Sequence, residues 1–233
     1  MTAQPLAPSP VGTELLDDPA ADPGAVAESL RNLSRSNRWF GGASAVRHGL
    51  DRVLAGVPRG SRLTLLDLGT GAGDLPRAAV VWAQRLGVRL CPVGLERSRV
   101  AAGLARGAGV PCAVACAGLP PLREKSVDLV LASQLAHHLS PASAVRLLRT
   151  CDRLARVGVI VADLRRGRLA PLAFWVGARA LRFDRHTLAD GLTSIRRGYT
   201  PRELRGLLAQ AGVRGQVARC PMYRLVATWR PAA

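Results

Sequence analysis

Residues 65–74 read Leu-Leu-Asp-Leu-Gly-Thr-Gly-Ala-Gly-Asp, and this stretch decides the fold. The apolar run before it predicts a short buried strand over Leu63–Leu68, and the pattern after it predicts a helix over Asp74–Leu86. Glycine tolerates positive φ and lacks the Cβ that would block a ligand lying against the backbone. A glycine turn between a strand and a helix therefore predicts a ligand site where the strand ends.

The spacing of the glycines narrows the class of ligand. Gly69, Gly71 and Gly73 form GxGxG rather than the GxGxxG of dinucleotide sites, and no GK[ST] follows as in a P-loop. Asp67 and Asp74 flank the turn. Carboxylates there would repel a pyrophosphate, whereas they suit a ligand with a cationic amino-acid end.

Outward from this turn the chain alternates strands and helices. Further strands are predicted at 88–95, 111–115, 127–132 and 157–162, with helices at 98–106, 141–155 and 200–212. The terminal segments 213–220 and 222–229 could pair as antiparallel strands. The pattern predicts an α/β fold, a Rossmann-like, mostly parallel, seven-stranded sheet with helices on both faces.

The remaining segments predict three additions to this domain. Residues 1–23 contain five prolines and no hydrophobic period, which predicts a flexible arm. Residues 24–60 predict a helical cap, with helices at 25–37 and 43–55. The domain itself then covers 61–233, with an insertion at about 165–199 that we interpret as a lid.

Residues 62–164 resemble the core of class I S-adenosylmethionine-dependent methyltransferases of the kind that modify quinones, phenols and other small molecules. The resemblance implies S-adenosylmethionine as cofactor. It implies that the methionine and ribose parts contact the turn residues Asp67, Gly69, Thr70, Gly71 and Gly73. It also implies that Glu96, at the end of the second strand and 23 residues after Gly73, holds both ribose hydroxyls.

The third strand departs from the family pattern. The family often has an acid after this strand that binds the adenine amine, but residues 114–120 contain no carboxylate. We therefore expect backbone groups around Cys116 and Ala117 to hold the adenine, with Ser133 after the fourth strand in the same pocket. Because of this departure, an alternative stays open: the chain would be a catalytically silent relative of the family that acts as a binding or assembly subunit.

Three histidines are candidate catalytic bases. His137 and His138 follow the fourth strand, where ligands bind in open α/β sheets, and His186 lies in the insertion. Histidine titrates in the range a base needs if the acceptor is a hydroxyl or phenol. The alternatives are a pocket wall or helix-end packing for the pair, and a solvated loop for His186.

These residues predict methyl transfer to a small hydrophobic or aromatic acceptor, on oxygen. The insertion combines Leu172, Phe174 and Trp175 with several arginines, which suits an acceptor bearing an anionic or phenolic group. An RNA or protein methyltransferase is the alternative enzyme. The [N/D]PP[Y/F] tetrapeptide of base and glutamine methylation is absent, because Ser133-Gln134-Leu135-Ala136 stands in its place.

The composition of the chain bears on which partners and which cellular compartment we expect for the protein. The formal net charge is +17, but only Lys125 is a lysine and the arginines are dispersed, which favours compositional bias over a nucleic-acid partner. A peripheral contact with an anionic membrane stays open. The five cysteines show no zinc spacing, so we expect no metal. No apolar run reaches the roughly 18 residues of a membrane span and no secretory signal is visible, so we expect a cytoplasmic protein.

Overall fold

The computed structural model describes residues 6–18 and 20–232. Its centre is one seven-stranded sheet with the strand order β3-β2-β1-β4-β5-β7-β6. In chain order the strands are β1 (Arg62–Leu68), β2 (Arg89–Glu96), β3 (Cys112–Val114), β4 (Val127–Ser133), β5 (Ala155–Leu164), β6 (Gln216–Cys220) and β7 (Arg224–Trp229). The first five strands pair in parallel, and β7 pairs antiparallel with β5 and β6. The predicted fold class and the terminal antiparallel pair are confirmed.

Eight α-helices in the described residues connect the strands. They are α1 (Pro23–Trp39), α2 (Gly42–Val53), α3 (Asp74–Arg85), α4 (Arg99–Gly107), α5 (Pro141–Leu154), α6 (Ala170–Ala180), α7 (Arg185–Arg197) and α8 (Pro201–Ala211). None of them is long and apolar enough to cross a bilayer. The predicted insertion after β5 forms α6 and α7, so it has helical structure of its own.

Local sequence signals explain where the helices begin and end. The Ser140 hydroxyl accepts from the Ser143 amide, and a proline occupies the first turn of α5. The Thr200 and Glu203 side chains exchange hydrogen bonds with each other's backbone amides at the start of α8, as the capping box predicts. Gly212 ends α8 with a φ of +77°, a conformation that costs glycine little.

Alternate residues of the central strands pack against helices on opposite faces of the sheet. Leu65 and Leu131 pack with apolar residues of α2 and α3. Leu66 and Val130 pack with apolar residues of α5 and α8. Because strand side chains alternate, a strand buried on both faces reads as a continuous apolar run. The parallel arrangement brings the carboxyl ends of β1, β2, β4 and β5 to one edge of the sheet.

Residues 6–18, which we call the strap, differ from the flexible arm predicted over 1–23. The strap crosses the carboxyl edge of the sheet. Its Ala7 amide donates to the Ser143 hydroxyl (2.8 Å) and its Ser9 amide donates to the His138 carbonyl (2.7 Å). Its Glu14 is buried. Proline-rich sequence without a hydrophobic period is therefore ordered here by hydrogen bonds and a buried charge. Residues 1–5 of the predicted arm lie outside the described residues.

Candidate active site

The glycine turn after β1 has the backbone conformation that its sequence predicts. Gly69, Gly71 and Gly73 adopt φ values of +71°, +55° and +78°. The side chain of Leu135 approaches Gly69 so closely that an added Cβ would lie 3.2 Å from its Cδ1. A side chain at these positions would be strained and would press on Leu135, Leu30 or Val110, which already pack there. The turn therefore requires glycine both for its backbone conformation and for its close packing.

Glu96 at the end of β2 faces this turn. Its Oε1 accepts hydrogen bonds from the backbone amides of Arg97 (2.7 Å) and Ser98 (3.0 Å). Its Oε2 accepts from the Gly71 amide (3.0 Å). An ionised carboxylate offers about four acceptor positions. The backbone therefore fixes the direction of the carboxylate while Oε2 keeps capacity for a ligand hydroxyl.

Two further carboxyl groups lie at the turn and are buried. Asp67 is only 2% exposed and accepts a hydrogen bond from the Thr70 hydroxyl (2.8 Å). Burial, helped by the charges of Asp74 and Glu96, raises the pKa of Asp67 to about 8. Burial also raises the pKa of Asp74. The turn therefore holds a cluster of acids whose ionised forms a nearby positive charge would stabilise.

The predicted adenine segment lies beside the strap. Cys116 and Ala117 are half-buried in the loop after β3, and Leu6 of the strap packs directly on the next residue, Gly118. Ser133 is buried at the end of β4. The residues implied by the family resemblance thus lie along one edge of the sheet, and the strap lies over one end of that edge.

A mainly apolar cavity lies at the carboxyl edge of the sheet, where Gln134 and His137, just after β4, line it. The strap, α1, α6, α7 and the turn before β7 form its walls. Its apolar lining includes Leu16, Leu33, Phe40, Leu164, Phe174, Phe183 and Ile195. Phe40 contacts Phe174 and Phe183 edge-on, with ring centroids 5.7 Å and 6.4 Å apart. The insertion predicted as a lid therefore supplies part of the wall.

His137 lies in this cavity with one ring nitrogen free. Its Nδ1 lies 2.6 Å from Oδ1 of Asp163, the acid at the end of β5. Its Nε2 is buried and has no hydrogen-bond partner among the described residues. Burial alone would raise the pKa of Asp163, but His137, by its charge when protonated and its hydrogen bond, holds that pKa below its usual range. An ionised carboxylate only accepts, so Nδ1 carries a proton, and the neutral form of the ring presents the lone pair of Nε2.

The neighbouring His138 belongs to an ion-pair cluster that anchors the strap. Its Nδ1 lies 3.0 Å from Oδ1 of Asp17 and 3.2 Å from Nη1 of Arg197. The same Nη1 donates to Oε1 of Glu14 (3.0 Å), and Arg197 also donates to the Val11 carbonyl. Glu14, His137 and His138 place potential metal-ligand atoms within 4.8 Å of one another, which cysteine and histidine spacing did not reveal. The Arg197 guanidinium already supplies a positive charge there.

A chain of polar side chains joins the turn to the cavity. Asn37 at the end of α1 donates to Oδ2 of Asp74 (2.9 Å) and accepts from Gln134. Gln134 accepts from Nη1 of Arg224 (2.7 Å), whose Nε donates to the Phe40 carbonyl (2.8 Å). Arg224 lines the cavity at 3% exposure, and burial lowers its pKa to about 10. No carboxylate of the described residues lies within ion-pair distance of it.

Two other candidates lie away from the cavity. His186 is exposed in the first turn of α7, where its amide donates to Asp184, and it does not line the cavity. Asp128 lies at the start of β4 and accepts from both the amide and the hydroxyl of Thr64 (each 2.8 Å), so it ties β4 to β1. Sequence reasoning missed Glu14, Arg197 and Arg224, because their partners lie far along the chain.

The sheet order, the glycine turn after β1 and the acid after β2 give the α/β, Rossmann-like fold of methyltransferases. Residues 66–162 match the family model described as a methyltransferase domain. This segment of the chain is therefore similar to the methyltransferase domain of that family. No curated protein matches the sequence.

Solved structures share this fold at low sequence identity. A SAM-dependent methyltransferase from Aquifex aeolicus is 18% identical with a TM-score of 0.59, over 89% of this chain and 97% of that one. The magnesium protoporphyrin IX methyltransferase of Synechocystis PCC 6803, with bound SAM, is 15% identical with a TM-score of 0.53, over 86% and 85%. The O-methyltransferase NcsB1 of neocarzinostatin biosynthesis is 18% identical with a TM-score of 0.64, over 94% of this chain but 62% of that one.

Proposed function

We propose that this protein transfers a methyl group from S-adenosylmethionine to an oxygen atom of a small hydrophobic or aromatic acceptor. The observation that carries the proposal is His137 in the lining of an apolar cavity at the carboxyl edge of the sheet, with a buried Nε2 that has no hydrogen-bond partner among the described residues. A buried, unpaired ring nitrogen costs stability, so its retention favours a role in which a ligand proton meets it.

The residues at the carboxyl edge fit the cofactor. Gly69 and Gly71 allow the tight turn with positive φ, and the direction of the Glu96 carboxylate leaves Oε2 available to a ligand hydroxyl. The buried acids Asp67 and Asp74 gain by facing a positive charge. When bound, the cofactor supplies a methyl group on a cationic sulfur.

The cavity lining favours a flat, apolar acceptor. Phe40, Phe174 and Phe183 offer ring faces and edges to an aromatic system. Arg224 adds a positive charge that no carboxylate of the described residues neutralises by an ion pair. It donates two hydrogen bonds to protein acceptors, out of five N–H groups. An anionic group on the acceptor would pair with this guanidinium. The relative NcsB1 was crystallised with 1,4-dihydroxy-2-naphthoic acid, an acceptor of this kind.

His137 then acts as the general base. Asp163 holds the proton on Nδ1 and fixes the ring, so Nε2 faces the cavity as an acceptor. Nε2 takes the proton of the acceptor hydroxyl as the oxygen becomes nucleophilic. The walls of the cavity limit the motion of the acceptor, which lowers the entropy cost of alignment with the methyl group.

Isothermal titration with S-adenosylmethionine and S-adenosylhomocysteine, followed by a screen of naphthols and hydroxynaphthoates, tests the proposal. We expect micromolar cofactor binding that Glu96→Gln weakens at least tenfold, while Glu124→Gln, at an exposed glutamate, leaves it unchanged. We expect methyl transfer to at least one hydroxyl in the screen. A folded protein that binds neither cofactor contradicts the proposal and directs the search to protein partners. Cofactor binding without methyl transfer to any compound in the screen contradicts the proposed class of acceptor.

A further inference from the structure

The outer side of α6 is apolar and exposed. Leu169 just before the helix, then Leu172, Trp175 and Val176, are 64%, 59%, 46% and 54% exposed. Their spacing of three or four residues places them on one side of the helix, and we call these four side chains the lid face. Buried residues such as Ala178 lie on the other side. Burial within the described chain therefore does not explain the lid face.

More exposed apolar surface lies beside α6. Trp39 and Met222 are 60% and 50% exposed. Met222 packs against Gly41, two residues after Trp39, and the intervening Phe40 packs on Phe174 of α6. Scattered single apolar residues are ordinary on protein surfaces, whereas a grouped set marks an interaction site.

The exposed charge beside the lid face is mainly positive. Residues 164–183 contain five arginines and no aspartate or glutamate. Arg166 pairs with Glu203 and the Nε of Arg165 is buried. The other three, Arg168, Arg179 and Arg182, are exposed and form no ion pair among the described residues. Arg179 lies over the Trp175 ring (5.9 Å to its centroid), and Arg38 lies over the ring of Trp39 (5.7 Å). Exposed tryptophan and leucine framed by arginine are typical of helices that lie in the interface of an anionic bilayer.

The lid face adjoins the wall of the cavity. Phe174 and Ala173 of α6 line the cavity from the helix that carries the lid face, and the exposed Met222 lines it too. A molecule held at the outer side of α6 is thus one helix away from the free Nε2 of His137. An acceptor apolar enough to favour this cavity also partitions into lipid.

We propose that the lid face docks on an anionic lipid bilayer and that the enzyme takes its acceptor from that bilayer. The second half rests on the proposed function; the docking itself does not. A second copy of this chain fits the lid face poorly, because two such faces would bring together the exposed Arg168, Arg179 and Arg182 of each copy, which form no ion pair among the described residues. Negatively charged headgroups instead match the arginines, while the acyl boundary accepts Leu172, Trp175 and Val176.

Sedimentation with vesicles tests the docking without acceptor or cofactor. We expect the full chain to bind vesicles of phosphatidylglycerol and phosphatidylcholine, and to bind pure phosphatidylcholine at least tenfold more weakly. Leu172→Gln with Trp175→Gln should lower the partition coefficient at least tenfold. Each of Arg168→Gln and Arg179→Gln should lower it about fivefold, and high salt should act in the same direction.

The matched control is Val81→Gln on α3. Val81 and Val176 are the same residue type and both are 54% exposed, so their substitutions remove equal apolar surface. Val176→Gln should weaken vesicle binding and Val81→Gln should not. Equal effects of the two substitutions, or no binding to anionic vesicles by the folded protein, overturn the proposal. A dimer in solution that the lid-face substitutions dissociate also overturns it and assigns the surface to a second copy. Because cofactor titration is separate, failure here leaves methyl transfer untouched.

Discussion

Replacing His137 by asparagine tests the proposed base most directly. The asparagine amide reaches roughly the position of Nδ1, so it can still donate to Asp163, whose carboxylate is completely buried. The change therefore removes Nε2 while keeping the buried acid paired. An alanine would leave that acid without its partner, at a cost of about 3–5 kcal/mol in stability.

The expected effect comes from proton transfer alone. A positioned general base contributes about 10²–10⁴ in rate, which corresponds to about 2.7–5.4 kcal/mol of activation free energy. We expect His137→Asn to lower kcat by a factor in this range when a naphthol is the methyl acceptor. Affinity for S-adenosylmethionine should stay within about twofold, because His137 belongs to the cavity of the acceptor. Single-turnover transfer of a radiolabelled methyl group measures the chemical step, and titration calorimetry measures cofactor affinity.

His138→Asn is the matched control for this experiment. His138 is the next residue, lines the same cavity and also contacts a carboxylate, but its Nδ1 is shared between Asp17 and Arg197. We expect it to change kcat less than tenfold. A His137→Asn enzyme that keeps its melting temperature and works within threefold of the wild-type rate would refute the assignment of the base. Equal losses in the two variants would show that the cavity shape, not Nε2, is responsible.

Three further changes address stability and recognition. Because the pKa of Asp67 rises to about 8 in the folded chain, the stability of the cofactor-free protein should fall as the pH rises from about 4 to 8. In thermal melts, Asp67→Asn should remove that fall. The same dependence of melting temperature on pH in the variant and the wild type would contradict this prediction. Arg197→Met removes the nearest cation from the buried Glu14 and leaves it the longer contact with His138 Nε2 (3.8 Å), so the free energy of unfolding should fall by about 3–5 kcal/mol and the strap should become protease-sensitive, whereas the exposed Arg196→Met should change it by less than 1 kcal/mol. Arg224→Met should weaken a hydroxynaphthoate at least tenfold more than a naphthol by calorimetry, and equal losses would exclude recognition of an anionic group.

Much of the fold follows from short-range sequence patterns. The run before the glycine turn predicts a strand because its residues are apolar on both faces, and β1 is indeed buried on both. Thr200 and Glu203 predict the start of α8 because their exchange of hydrogen bonds depends only on residues three positions apart. The direction of Glu96 toward the turn follows from a parallel pair of strands that end at the same edge.

The parts that were not predicted depend on contacts between distant residues. The strap has no hydrophobic period, and it is ordered by Arg197, which lies 183 positions after Glu14. Arg224 follows a turn that predicts only a hairpin strand, and its bond to Gln134 spans 90 positions. Periodicity and capping rules describe neighbours within one element, so they do not reveal which side chains meet across the sheet edge.

The hydrogen-bonded chain from Asp74 through Asn37 and Gln134 to Arg224 connects the turn where we propose that the cofactor binds to the cavity proposed for the acceptor, so we expect the two binding steps to depend on each other. A ligand that changes the ionisation of Asp74 alters the donor it receives from Asn37, and Gln134 passes that change to the guanidinium in the cavity. Gln134 has a φ of +53°, an uncommon conformation for a residue other than glycine. Such coupling is reciprocal: if bound cofactor changes the affinity for the acceptor by some factor, bound acceptor changes the affinity for the cofactor by the same factor. The side-chain network at the end of α1 thus predicts that the affinities for the two substrates are coupled, whichever of them binds first.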